Sequence, residues 1–428
     1  MYGFFTGLLI MSLASFRRRQ IVLTLVTNDP QGKTRSKTSA SFNGFHNIQQ
    51  PNGTYFTVPL RYDNLLPFHV GKPLVVQAFD RINQRYVVIK KVVLPDSFTD
   101  RQGWKRAQRE LYCMLSIEDE NVVQTYSVFT PAKTIENMTE FYIVREFMNG
   151  TMKNLNDSTF ENGESTPHIT VKSIFFDICR GVQYLHTMNI SHRDLKPENI
   201  LMNIEGDVKL CDFGHSNVED PNANTPYIVQ RYYRAPEIIC ETVDNNKTNV
   251  DIWSLGCILA ELLTGEVLFK GKDHIDQFVL IVQFLGNADV NFYNAMNEHA
   301  RTFLKAFHLD QYFPPRNIHE RFPDSLFRRA LRTEPDECNL ARDLLFRMLV
   351  INPDNRDNIK MVLSHPYLRD IWGEVVLPEE VPDPQPPQFL RNFFGWQTYF
   401  SPEDMKGEIF NKIKEFEAQY SIFTGSRH

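Results

Sequence analysis

Ser191-His192-Arg193-Asp194-Leu195-Lys196-Pro197-Glu198-Asn199 is the stretch that decides the fold, and Asp212-Phe213-Gly214 and Ala235-Pro236-Glu237 follow it in order. Read as chemistry, Asp194 is a carboxylate able to accept the proton of an incoming hydroxyl. Lys196, two residues on, carries a charge suited to a transferring phosphoryl group. Asn199 and Asp212 offer the hard oxygen donors that magnesium takes. Any one of these alone is most simply a solvated loop residue. Their joint spacing is the arrangement that phosphoryl transfer from ATP requires.

Upstream of this centre the pattern is β-type. Short apolar runs predict strands over 57–60, 73–79, 85–90 and 141–144, with one charged amphipathic helix over 104–115. Downstream, apolar residues recur at three- and four-residue intervals, predicting helices over 173–187, 249–263, 274–285 and 340–349. A Pro- and Glu-rich strap over 377–387 leads to a last helix over 402–420. Residues 27–55, polar and without period, read as a flexible tail. The resulting organisation is α+β: leader and tail over 1–55, a small β-rich lobe with one helix over 56–148, a large helical lobe over 149–368, and a C-terminal strap and helix over 369–428.

At 428 residues with a net charge of -6, the chain can bury a large core and lacks the basic balance of a general nucleic-acid binder. Its six cysteines are scattered, without a CxxC pair, and read as buried free thiols in a reducing compartment rather than a disulfide or zinc framework. The apolar run 1–16 precedes Arg17-Arg18-Arg19, the reverse of a secretory signal. It is also shorter than the roughly 20 residues that span a bilayer. Membrane contact through this leader is not expected.

Lys90 ends an apolar strand as Val88-Ile89-Lys90, and Glu110 lies on the charged helix. Lys91 is the rival for any role of Lys90, and strand alternation sends the two to opposite faces.

Thr225-Pro226-Tyr227 stands between the Asp212 motif and Ala235-Pro236-Glu237, followed by Arg231-Tyr232-Tyr233-Arg234. With Val128-Phe129-Thr130-Pro131 and Asp273-His274-Ile275-Asp276-Gln277, these residues closely resemble the mitogen-activated protein kinases, and the proline between Thr225 and Tyr227 resembles the Jun N-terminal kinase branch. The resemblance spans about residues 56–420. It implies a bilobal eukaryotic protein kinase fold, and ATP and Mg2+ as cofactors. Lys90 would hold the phosphates and Glu110 would orient it. Gly71, Val75, Glu146 and Met148 are the implied further nucleotide-binding positions, and Asn199 and Asp212 the metal ligands. Thr225 and Tyr227 would be the regulatory phosphorylation sites. Arg193 and Arg109 match the contacts to phosphothreonine, and Arg231 and Arg234 those to phosphotyrosine. Glu237 and Arg356 match a buried ion pair, and Asp251 a residue that braces the catalytic loop. The implied partners are protein substrates with Ser/Thr-Pro sites, an upstream dual-specificity kinase and phosphatases, in cytoplasm and nucleus.

Four departures from that pattern bear on activity. The nucleotide-covering loop reads Phe68-His69-Val70-Gly71-Lys72-Pro73-Leu74-Val75, where the three family glycines are lost and Pro73 has no N–H to give. Arg145 replaces a methionine before the segment joining the lobes, and Glu110 is the carboxylate it is expected to compete for. Gln230 and Asn217 replace a threonine and an arginine. Two family acidic docking positions are Gly373 and Val376 here, with Glu374, Glu379 and Glu380 nearby. An active kinase and a kinase fold kept as a binding scaffold are therefore both open on sequence.

Overall fold

The computed structural model describes residues 37–42, 44–68, 74–154, 168–218, 231–242, 248–306, 317–332, 335–372 and 400–420. The chain divides into two compact units, with the break after Asn149.

The unit containing residues 37–149 is mostly β. Strands β1 (Lys37–Phe42), β2 (Phe45–Gln49) and β3 (Tyr55–Pro59) form an antiparallel three-stranded sheet. Strands β4 (Tyr62–Pro67), β5 (Val75–Asp80), β6 (Arg85–Val93), β7 (Thr125–Phe129) and β8 (Glu140–Glu146) form a five-stranded sheet in the order β4-β5-β6-β8-β7. One face of the larger sheet presents Val76, Ala78, Val87, Ile89, Tyr142 and Val144 to Phe45, Ile48, Phe56 and Val58 of the smaller one. β1 and β2 lie inside the stretch read as a tail. Their polar composition hides the signal, which is the burial of Phe45 and Ile48 beneath Asn47 and Gln49.

Helix α1 (Arg101–Ser116) starts at Asp100, whose carboxylate accepts from the Gly103 amide at 2.9 Å. It contains the predicted 104–115 and extends beyond it by less than a turn at each end.

The unit containing residues 150–372 is mainly helical. It holds α2 (His168–Thr187), α3 (Asn249–Thr264), α4 (His274–Leu285) and α5 (Pro335–Met348). The short strand β9 (Gly150–Thr151) precedes α2, and β10 (Ile190–Ser191), β11 (Ile200–Met202), β12 (Val208–Leu210) and β13 (Asn217–Val218) run between α2 and α3. Helix α3 is apolar on every side, with Val250 through Leu263 buried, as befits a central core helix. It ends at Gly265, whose φ of 87° gives the left-handed cap.

The last helix, α6 (Pro402–Gln419), opens with a capping box between Ser401 and Asp404. The sequence reading set it in a separate C-terminal segment; in the structure it packs on α1 and β7 of the first unit. Met405, Ile409 and Ile413 are fully buried there, each stabilising by about 1.5–3 kcal/mol relative to exposure. Glu408 accepts from the Tyr112 hydroxyl at 3.3 Å and Glu417 from the Thr130 amide at 3.1 Å.

All six cysteines are free and buried, and burial pushes the Cys113 thiol up to about 12. No described helix is long and apolar enough to cross a membrane. The apolar leader lies outside the described residues.

Candidate active site

In the helical unit, α2 delivers the chain to β10 and then to a short loop carrying Asp194. The loop is held by Asp251 at the start of α3. Its Oδ2 accepts from the His192 amide and its Oδ1 from the Arg193 amide, both at 2.8 Å. His186, from the last turn of α2, places Nε2 2.9 Å from Asp251 Oδ2. Burial pushes the Asp251 carboxyl up, but these donors outweigh it and hold it below the usual aspartate value. Arg193 sits at φ 66°, a conformation costing about 1–3 kcal/mol that persists only when its surroundings impose it. The two amide bonds to Asp251 supply that constraint.

Asp194 is buried, and its carboxylate takes Lys196 Nζ at 2.8 Å and Asn199 Nδ2 at 2.9 Å. Burial pushes its carboxyl above the usual aspartate value against the pull of Lys196, and the nearby Asp212 charge adds to the rise. The β11–β12 hairpin, with Ile200 opposite Leu210, brings Asn199 and the residues after β12 to one end. The Cys211 amide donates to the Asn199 carbonyl at 3.0 Å, which sets Asp212, at φ 74°, beside the Asp194 loop. His192 packs its ring 5.1 Å from that of the buried Phe213. Sequence reading thus placed Asp194, Lys196, Asn199 and Asp212 in one cluster, and the structure brings them together. It missed His186, whose role as the second grip on Asp251 has no local signature in the chain.

Glu237 and Arg356 form the expected buried pair, with Nη1–Oε1 at 2.7 Å and Nη2–Oε2 at 2.9 Å. Carbonyls of Val350 and Asn249 take the remaining guanidinium donors. Arg231 and Arg234 flank one 3-10 turn: Arg231 donates to the Lys272 carbonyl and Arg234 to His274 Nδ1 at 3.2 Å. Burial, then the Arg234 and Arg231 charges, push His274 below the usual histidine value and so keep that nitrogen an acceptor. Thr225, Tyr227, Gln230 and the acidic residues after 372 lie outside the described residues.

In the β-rich unit, Lys90 of β6 pairs with Glu110 of α1. Lys91 points to the other face of the sheet, bridging Glu140 and the Tyr55 carbonyl. Of the two lysines, Lys90 is the one paired with Glu110. Val75, opposite Lys90 across the β5–β6 ladder, shares its face. Glu146 ends β8, its carboxylate accepting from the Gln124 amide at 2.6 Å, and Met148 is buried two residues on. Gly71 lies outside the described residues. Arg109, next to Glu110 on α1, is buried.

Of the two cations the sequence set in competition for Glu110, Lys90 holds it and Arg145 does not. The flexible Lys90 stem reaches the carboxylate first, so Lys90 keeps its orienting partner. That removes one of the grounds for a scaffold without catalysis; the other two, residues 69–73 of the nucleotide loop and Gln230, lie outside the described residues.

The residues in each unit are of the kind a phosphoryl-transfer enzyme uses, and the chain belongs to the protein kinase family: the protein kinase domain matches residues 71–368. Within that family it is similar to the stress-activated protein kinase JNK of Suberites domuncula, with 35% identity over 343 residues, covering 80% of this chain and 90% of the relative. It is accordingly a protein serine/threonine kinase of the Jun N-terminal kinase-like, mitogen-activated type.

Proposed function

We propose that this kinase transfers the terminal phosphoryl group of ATP to Ser or Thr followed by Pro, and is itself switched on by phosphorylation of Thr225 and Tyr227. The observation that carries the reading is the Asp194 cluster, in which acceptor carboxylate, lysine and amide converge within 2.9 Å of one oxygen.

When bound, ATP supplies the phosphoryl group and magnesium neutralises the polyphosphate charge. The residues fit both. Asn199 commits Nδ2 to Asp194 and leaves Oδ1 as an oxygen ligand, and the Asp212 charge acts on the same Asp194 carboxyl. Among the described residues no cluster of three or more His, Cys, Asp or Glu suits a metal. That agrees with magnesium, which takes one or two protein oxygens and fills its shell with phosphate and water.

The work of the chain is positional and acid–base. Asp194 receives the substrate hydroxyl proton, and Lys196 holds that carboxylate in place while countering charge at the transfer point. Asp251 fixes the loop so that little reorganisation remains to be done. Glu110 orients Lys90 toward the nucleotide phosphates. Upstream dual-specificity kinases and phosphatases acting on Thr225 and Tyr227 are the regulatory partners, in cytoplasm and nucleus, where the six reduced thiols are at home.

The test is phosphate transfer by doubly phosphorylated protein to a Ser-Pro peptide, to its Ser-Ala counterpart, and by the Asp194→Asn variant. Transfer that favours Ser-Pro and vanishes in the variant supports the reading. Equal activity in both proteins removes it.

A further inference from the structure

The sheet face that carries Lys90 also carries a second cation, Arg145, which makes no ion pair among the described residues. In the β6–β8 ladder Lys90 lies opposite Ile143 and Val88 opposite Arg145. Residues two apart on a strand share a face, so Arg145 and Lys90 are diagonal neighbours, with side-chain roots roughly 7–8 Å apart. The other face is packed with the core formed by Val87, Ile89, Tyr142 and Val144.

Arg145 is 7% exposed, and its Nε is buried with no hydrogen-bond partner. No ion pair reaches it among the described residues, and Glu110 is held by Lys90. Thr125, opposite Arg145 on β7, has a hydroxyl that is also buried and unmet. A guanidinium cannot discharge itself by losing a proton. A buried cation in this state is costly unless a ligand answers it.

We propose that Arg145 is a second anion-binding cation of the nucleotide face, receiving a polyphosphate oxygen of the bound nucleotide beside Lys90. The inference rests on the ATP-dependent reading above and deepens it. The planar fork of donors suits phosphate oxygens, two at a time. It also answers a deficit in the sequence: the loop 68–75 has lost the glycines that let backbone N–H groups approach phosphate, and Pro73 has none. A side-chain cation on the sheet replaces donors missing from the loop.

The experiment titrates the full chain, as wild type, Arg145→Met and Arg145→Lys, with Mg-ATP, adenosine and inorganic tripolyphosphate by calorimetry and thermal shift. Arg145→Met is expected to weaken Mg-ATP and tripolyphosphate about tenfold, or about 1.4 kcal/mol, while adenosine stays within about twofold. Its ligand-free melting temperature is expected to rise, and Arg145→Lys to keep part of the affinity. A purely structural arginine would move all three ligands together. Arg145→Gln repeats the comparison should methionine prevent folding. Mg-ATP bound as tightly by Arg145→Met as by wild type overturns the inference and leaves the kinase reading intact. Arg145-dependent binding in a wild type that transfers no phosphate does the reverse. A wild type that binds none of the probes overturns both.

Discussion

Arg356 in the helical unit and Arg145 in the β-rich unit are both buried guanidiniums, and the protein treats them oppositely. Arg356 meets a bidentate carboxylate, three backbone carbonyls and the Trp253 ring at 5.4 Å. Arg145 meets a buried, unpaired threonine neighbour across the strand and keeps its own Nε unmet. The first arginine is a finished structural tie. The second makes no ion pair among the described residues and leaves Nε unmet, as the proposed binding group would and a strut would not. The same contrast runs through the site. Around Asp194 the anions are gripped from several sides, whereas around Lys90 one carboxylate serves a face with two cations.

The comparison can be broken most sharply at Asp194. Asp194→Asn is expected to cut phosphotransfer by about 10²–10⁴-fold, the usual worth of a positioned general base. Because burial raises the Asp194 carboxyl above the usual aspartate value, activity should fall on acidification at a higher pH than an ordinary aspartate would give. The protonated acid cannot accept the hydroxyl proton, and a kcat–pH profile would show that limb in the wild type. An acidic limb no higher in pH than an ordinary aspartate gives would contradict it.

Next in size is the finished tie. Glu237→Ala strands the buried Arg356 charge and is expected to cost about 3–5 kcal/mol in chemical denaturation. Arg145→Met should move stability the other way, because it removes a cation already stranded. If both variants destabilise alike, the distinction between the two arginines fails. Glu110→Gln keeps the shape of its side chain but leaves two cations on one face. It should weaken Mg-ATP binding while lowering the melting temperature only modestly. The smallest effect expected is at the α6 cap: Ser401→Ala should cost about 1 kcal/mol of stability, read by thermal melting, and leave the phosphotransfer rate unchanged.

The Asp194 cluster was legible in the chain because its members lie within a few residues of one another or across one hairpin, so spacing fixes their geometry. For Lys90 and Lys91, strand alternation separates the two faces, but the choice of Lys90 comes from the resemblance to the family pattern. The fate of Glu110 was not legible. Periodicity places Lys90, Arg145 and Glu110 on elements but cannot say which cation a carboxylate on α1 will reach. Strands β1 and β2 escaped because most of their residues are polar and the core that Phe45 and Ile48 pack on includes residues far along the chain, such as Phe129, Tyr142 and Val144. The apolar stripe of α6 was plain in the sequence, yet an amphipathic pattern names no partner. Only packing reveals that Met405, Ile409 and Ile413 seat on α1 and β7.

That seat has a consequence for how the molecule is made. The β-rich unit is discontinuous: its strands and α1 are synthesised before the helical unit, and the helix that covers α1 and β7 only after it. Until then the surface awaiting Met405, Ile409 and Ile413 stays bare through translation of the whole helical unit, a window in which an exposed apolar flank invites chaperones or aggregation. A nonsense lesion just before residue 400 would therefore spare every catalytic side chain and still release a chain whose β-rich half is never closed.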